Sequence, residues 1–291
     1  MKTHLYQSTQ TNSLLYGIRP LMKIRIGKPF LLIAALVIAA APSFSQDRSG
    51  SLTPLQFAIE HQRTRLSSAD TEERRDAVTR LGAMRHPAAS RAVLPGLQDA
   101  ESIVRATSIG AVLSLPPEES APSLLPLLSD KDVLVRREAA YALGKTKSQT
   151  AVPLLIDLLR SDKVDEVRGA AAVALGAIGN EAAVIPLLGV LTGQAAQLKK
   201  QKAKPEQNPF VLRSAARALG QIGTRASVPV LIAALENEQS EDDLRREAAI
   251  ALGRIGDQTA LPSLRNAMTA RDPHLASAAD VAIKSILRTS R

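Results

Sequence analysis

From residue 53 onward, apolar positions recur at helical spacing, and the whole pattern then repeats. In VRREAAYALG (135–144), the side chains of Val135, Ala139, Ala142 and Leu143 fall within an arc of about 100°, with Arg137 and Tyr141 opposite. Such a segment is a helix with one buried and one exposed face. The phrase returns as VRGAAAVALG (167–176), VLRSAARALG (211–220) and LRREAAIALG (244–253). Weaker copies stand at ERRDAVTRLG (73–82), VRATSIGAVL (104–113) and LASAADVAIK (275–284). Successive copies are 31, 31, 32, 44, 33 and 31 residues apart. Between them runs a second apolar phrase with proline near its start: APSLLPLL (121–128), AVPLLIDLL (151–159), VIPLLGVL (184–191), VPVLIAAL (228–235) and LPSLRNAM (261–268).

Proline in a first helical turn sacrifices no hydrogen bond, so these prolines mark helix starts. Asp70 with Glu73, and Ser240 with Asp243, have the spacing of a cap and its reciprocal acid, while Asp130 and Asp162 precede two other copies. Gly144, Gly176, Gly220 and Gly253 stand where the second helix is expected to turn back, a place that favours positive φ. Each unit therefore reads as helix, turn, helix. One such pair cannot bury both apolar faces, so the units must stack. The predicted fold is an all-α α-solenoid of about seven antiparallel helix pairs over 53–288, opening with a helix at about 54–66.

Composition supports this architecture. Only 2% of the chain is aromatic, so alanines such as Ala139, Ala140 and Ala142 must build the core by close helix approach. The absence of Cys excludes disulfides, thiolate metal sites and Cys nucleophiles.

These phrases resemble the HEAT-repeat family, most closely its short HEAT-like form found in phycobilisome lyases. The resemblance covers 53–288 and is sharpest where an acid, Val-Arg or Leu-Arg, Ala-Ala and Leu-Gly appear in register. It implies a structural ladder in which an arginine of each second helix bonds an acid near the inter-helix turn. Here those arginines are Arg74, Arg105, Arg136, Arg168 and Arg245, with Asp70, Glu101, Asp132 and Asp165 as candidate acids. Leu212 and Ala276 occupy the arginine position in the fifth and last units.

Residues 30–41, FLLIAALVIAAA, follow Lys23, Arg25 and Lys28 and precede Ser43-Phe44-Ser45. Positive flank, short apolar run and small residues are the parts of a secretory signal peptide. An apolar run of 12 residues is too short to span a bilayer, which takes about 20. The expectation is a signal peptide over 1–45, with Met22 a second candidate start, cleavage near Ser45, and a periplasmic or secreted mature chain with no transmembrane segment. A short linker (46–52) and a tail (289–291) flank the repeats. Residues 1–45 hold five basic and no acidic residues, so of 37 basic groups 32 remain against 28 acidic ones. The net charge of +9 falls to +4.

Catalytic chemistry has little to stand on. His4, His61, His86 and His274 have no partners at ligand spacing, so no metal site is expected. HEAT-like iron hydroxylases use His-Glu steps, and the sequence has none. No phosphate loop, dinucleotide fingerprint or nucleophile elbow is present, so no cofactor is expected. The long interval contains a polar, basic insertion (197–208) with Lys199, Lys200, Lys202 and Lys204, read either as a solvated loop or as an arm for anionic surfaces. Without aromatic stacking platforms it makes a poor nucleic-acid site. In HEAT-like solenoids, the exposed row of the second helices lines the concave partner surface. Here it holds Arg137, Tyr141, Val173, Arg213, Arg217, Arg246 and Ile250. That mixture suits apolar anchors with charged steering, and equally an ordinary solvated surface. The expectation is a non-enzymatic, exported HEAT-repeat scaffold or adaptor for another protein. The alternatives are a chromophore lyase or isomerase-like HEAT-repeat enzyme, and an electrostatic binder acting through the Lys-rich insertion.

Overall fold

The structure, a computed structural model, describes residues 52–193 and 208–289. The expected leader, nearly all of the linker, the four lysines of the insertion and the last two residues lie outside the described residues.

Among the described residues all regular structure is helical and falls into seven pairs. They are α1 (Pro54–Arg65) with α2 (Thr71–Ala83), α3 (Pro87–Val93) with α4 (Ser102–Ala111), α5 (Pro117–Leu124) with α6 (Val133–Thr146), and α7 (Val152–Ser161) with α8 (Asp165–Ile178). The series continues with α9 (Val184–Leu191) and α10 (Pro209–Ile222), α11 (Val228–Glu236) and α12 (Asp242–Ile255), and α13 (Leu261–Ala267) and α14 (Pro273–Thr289). Each second helix packs on the second helix of the next pair, so the pairs stack as an α-solenoid. The shared core is built from small residues. Ala139 and Ala140, Ala170 and Ala171, Ala215 and Ala216, and Ala248 and Ala249 are completely buried, with Leu143, Leu175, Leu219 and Leu252 between them.

The structure gives the repeat glycines a different role from the expected one. Gly144, Gly176, Gly220 and Gly253 lie inside their helices, two residues before the end. A Cβ on them would come 2.8, 2.7, 2.6 and 2.7 Å from the Cα atoms of Ala174, Ala218, Ala251 and Ala282. They are contact points between repeats. The positive φ falls three residues later, at Lys147 (53°) and Gly179, Gly223 and Gly256 (76–80°).

Prolines mark starts in α7, α11 and α13, as the pattern implies. In contrast, α5 begins at Pro117, leaving Pro122 in its interior. Pro95 and Pro126 end the α-helical hydrogen bonding of α3 and α5, and the chain continues as 3-10 turns at Leu94–Gln98 and Leu125–Ser129. Asp70 does cap α2, but Glu73 bonds Arg65 and Ser68 and does not close a capping box. The Ser240–Asp243 box is absent, since Glu241 precedes α12 without a side-chain cap and Asp243 turns to arginines. A capping box does form at Thr53 and Gln56.

Charges cover both end units. Glu73 and Arg80 occupy the α2 positions where α6 has Val135 and Ala142, and Arg65 holds both Glu73 and Asp76. At the other end, Asp280 pairs with Lys284 where α12 has Ala249 and Gly253. These outer faces suit water, as terminal repeats require.

Candidate functional site

The second helices carry two sets of arginines, and their geometry separates them. The first set runs along the inter-helix loops. Arg74 grips both oxygens of Asp99 at 2.7 and 2.9 Å and donates to the Ser68 carbonyl at 3.0 Å. Arg105 binds Asp130 at 2.8 and 2.7 Å and the Asp99 carbonyl at 2.8 Å. Arg136 binds Asp162 at 2.7 and 3.1 Å and the Asp130 carbonyl at 2.9 Å. The acids are thus Asp99, Asp130 and Asp162, one repeat further on than expected, because each guanidinium reaches across the stack. Each of these acids also accepts a backbone N–H of its own loop. Asp70 and Asp132 instead cap helices, and Glu101 makes no cap bond. The Arg74 guanidinium holds the Asp99 carboxyl below its ordinary pKa.

The ladder changes at the fourth pair. Arg168 keeps the loop carbonyl, that of Asp162, at 3.0 Å but bonds Asp165 in its own turn. Arg245 bonds the Leu235 carbonyl at 3.0 Å and Asp242 at 3.3 Å. All five arginines are consumed by the scaffold.

The second set lies on the exposed row. Phe210, in the first turn of α10, has its backbone N–H held by the Asn208 side chain at 2.9 Å. Its ring sits on Gly169 of α8, where any Cβ would fall 2.1 Å from Cε1. On one side of this ring a cavity of about 560 Å³ is lined by Arg137, Glu138, Tyr141, Glu166 and Asn208. On the other side a cavity of about 340 Å³ is lined by Arg213, Arg217, Asp243, Arg246, Glu247 and Ile250. Both volumes are within the roughly 300–1,000 Å³ typical of small-molecule sites. Phe210 lines both, and the two adjacent cavities make up a trough bordered by α6, α8, α10 and α12.

The structure therefore gathers most of the expected row. Tyr141 and Val173 are half-buried, and Tyr141 packs against the core. Among the described aromatic residues, Phe57 of α1 faces outward, 66% exposed. Each of these arginines is paired with an acid. Arg137 bonds Glu138, Arg217 bonds Glu247, and Arg213 and Arg246 share Asp243, with Asp272 also 3.3 Å from Arg246. Glu247 raises the Arg217 pKa further above its ordinary value. Phe210 and the acids of the trough lie outside the expected row. The available signal was Gly169, the one glycine at the Arg137 position of the row, facing the helix that opens with Asn208-Pro209-Phe210. Among the described residues no group of three or more His, Asp or Glu side chains is placed to hold a metal ion, and no helix is long and apolar enough to cross a membrane.

Stacked helix pairs with an arginine ladder and a lined trough define a helical-repeat protein of the solenoid class. A family profile described as HEAT repeats matches residues 121–204 and 196–284, and the chain belongs to the HEAT-repeat family. The bilin biosynthesis protein PecE of Nostoc sp. is 39% identical over 88 residues, covering 26% of this chain and 35% of that protein. The phycocyanobilin lyase subunit alpha of Picosynechococcus sp. is 35% identical over 105 residues, covering 36% of this chain and 38% of that protein. The chain thus spans little more than a third of these curated relatives. The solved structure of YibA from E. coli shares the fold, with 23% identity, a TM-score of 0.56, and coverage of 80% of this chain and 82% of that one.

These relatives overturn the expectation of a non-enzymatic scaffold or adaptor, and with it the reading that the chain is no enzyme. Proteins named as a bilin biosynthesis protein and a phycocyanobilin lyase subunit match its repeats, which favours the lyase alternative. The physical reason for the error is that a HEAT-like enzyme need show no nucleophile or metal motif. Its chemistry can rest on ordinary side chains spread over several repeats.

Proposed function

We propose that the chain is a HEAT-like subunit of the bilin lyase kind, which holds a linear tetrapyrrole and acts with a second protein. The observation that carries this reading is the 39% identity to PecE. The subunit name of the Picosynechococcus relative supports a protein partner. The trough supplies suitable chemistry. Phe210 and Ile250 offer apolar surface to a conjugated chain, and Arg213, Arg217 and Arg246 lie beside them. Arg213 engages Asp243 through Nη1 alone, which leaves Nε and Nη2 for a ligand carboxylate. In this reading Arg137, Tyr141 and Val173 extend the same surface towards the protein partner. Titration of the purified chain with biliverdin tests the proposal. Saturable red-shifted absorbance, lost in Arg217→Ala/Ile250→Ala, supports it, whereas an unchanged spectrum overturns it. Export directed by residues 1–45 is a separate proposal and rests on the leader-like order of those residues.

A further inference from the structure

The two halves of the trough differ in charge balance. Around Ile250 every carboxylate has a guanidinium: Asp243 takes Arg213 and Arg246, and Glu247 takes Arg217. Around Tyr141, Arg137 is held by Oε1 of Glu138, while Glu166 in the first turn of α8 is exposed and its side chain makes no hydrogen bond or ion pair with any described residue. Among the described residues, this half therefore carries one negative charge without a partner, in a cavity that Tyr141 and Phe210 also line. Phe210 is fixed in place, because its ring fills the space left by Gly169 and its backbone N–H is tied to Asn208. Two aromatic rings and a carboxylate with no partner among the described residues suit a cation, since an aromatic face and a carboxylate attract it in the same direction. An anion placed there would meet Glu166 unshielded.

We propose that the slot between Tyr141 and Phe210 takes an arginine or lysine side chain presented by an extended segment of a partner protein, with Glu166 as its counter-charge. The slot stands whether or not the chain handles a bilin, whose carboxylates suit the arginine-lined half.

The test is calorimetric titration of the full chain with the peptide acetyl-Gly-Ala-Arg-Ala-Gly-amide and its citrulline twin, which keeps the shape but loses the charge. The arginine peptide is expected to bind one to one, and the citrulline peptide at least tenfold more weakly. Glu166→Gln should weaken the arginine peptide three- to tenfold and leave the citrulline peptide unchanged. Glu118→Gln, an exposed acid on α5, should change neither. Phe210→Leu should also weaken binding while circular dichroism stays native. Equal binding of the two peptides, unchanged affinity in Glu166→Gln, or no saturation at millimolar peptide would each overturn the proposal. Peptide binding without any biliverdin response would overturn the lyase reading and leave this one standing.

Discussion

Gly220 of α10 and Ala251 of α12 meet so closely that a Cβ on Gly220 would lie 2.6 Å from the Ala251 Cα. The neighbour at that point is backbone, so it cannot yield by rotating a side chain. Gly220→Ala should destabilise the protein by about 1–3 kcal/mol, although alanine is the better helix former. Gly189 in α9 is the control, because no described residue lies within 4 Å of its added Cβ. Gly189→Ala should be neutral or stabilising by up to about 1 kcal/mol. Urea unfolding midpoints of the two variants check both outcomes.

The Arg105–Asp130 pair is the most enclosed of the ladder, with side chains 7% and 10% exposed. Asp130→Asn would leave the Arg105 guanidinium buried without its counter-charge. The expected loss is about 3 kcal/mol. Arg91→Gln, which breaks the exposed pair with Glu119, should change stability by less than about 1 kcal/mol. Paired thermal and urea denaturation of the two variants distinguishes these magnitudes.

Acid should weaken the fold in a defined direction. Asp99 is lowered by Arg74, and Glu73 by Ser68 and then Arg65. A depressed folded value means the folded state favours the charged carboxylate. Its stabilisation is complete above the ordinary carboxylate range near pH 4 and is lost as pH falls through the depressed values. The urea midpoint should hold from pH 7 to 5 and decline below about 4, and Asp99→Asn should flatten that decline.

Gly169→Ala tests the seat of Phe210. The new methyl group would occupy the ring's position, so the ring must leave and the trough must change shape. A stability loss of about 1–3 kcal/mol is expected, with biliverdin response and arginine-peptide affinity both reduced. Unchanged ligand titrations would show that Phe210 does not define the trough.

For the leader, amino-terminal sequencing of protein recovered from the exported fraction of expressing cells should begin at Gln46. Recovery of the chain only from cytoplasm, with its first residues intact, would remove the export proposal.

The seven pairs were legible because apolar spacing and repeat period are local properties of the chain. Roles that depend on a neighbouring repeat were not. Gly144 looks like a helix terminator when only its own helix is considered, and its real constraint, Ala174, is contributed by the following pair. Likewise Arg105 has several acids close in sequence, and its true partner Asp130 is selected by the stacking offset. The arginines of the exposed row could be located from sequence, but their neutralisation by Glu138, Asp243 and Glu247 could not. Phe210 lies in the one irregular interval, where the period that identifies every other position is interrupted.

The ladder also has a time order. Arg74, Arg105 and Arg136 precede their carboxylates by 25, 25 and 26 residues, always in the same direction. On the ribosome each guanidinium therefore emerges before its partner and waits for less than one repeat of further synthesis. Closure can follow translation step by step, with every new loop locking the helix pair made just before it. At Arg168, whose carboxylate partner lies in its own turn, that stepwise locking pauses, and it resumes on the exposed row, where Arg213, Arg217 and Arg246 reach Asp243, Glu247 and Asp272, 30, 30 and 26 residues further on.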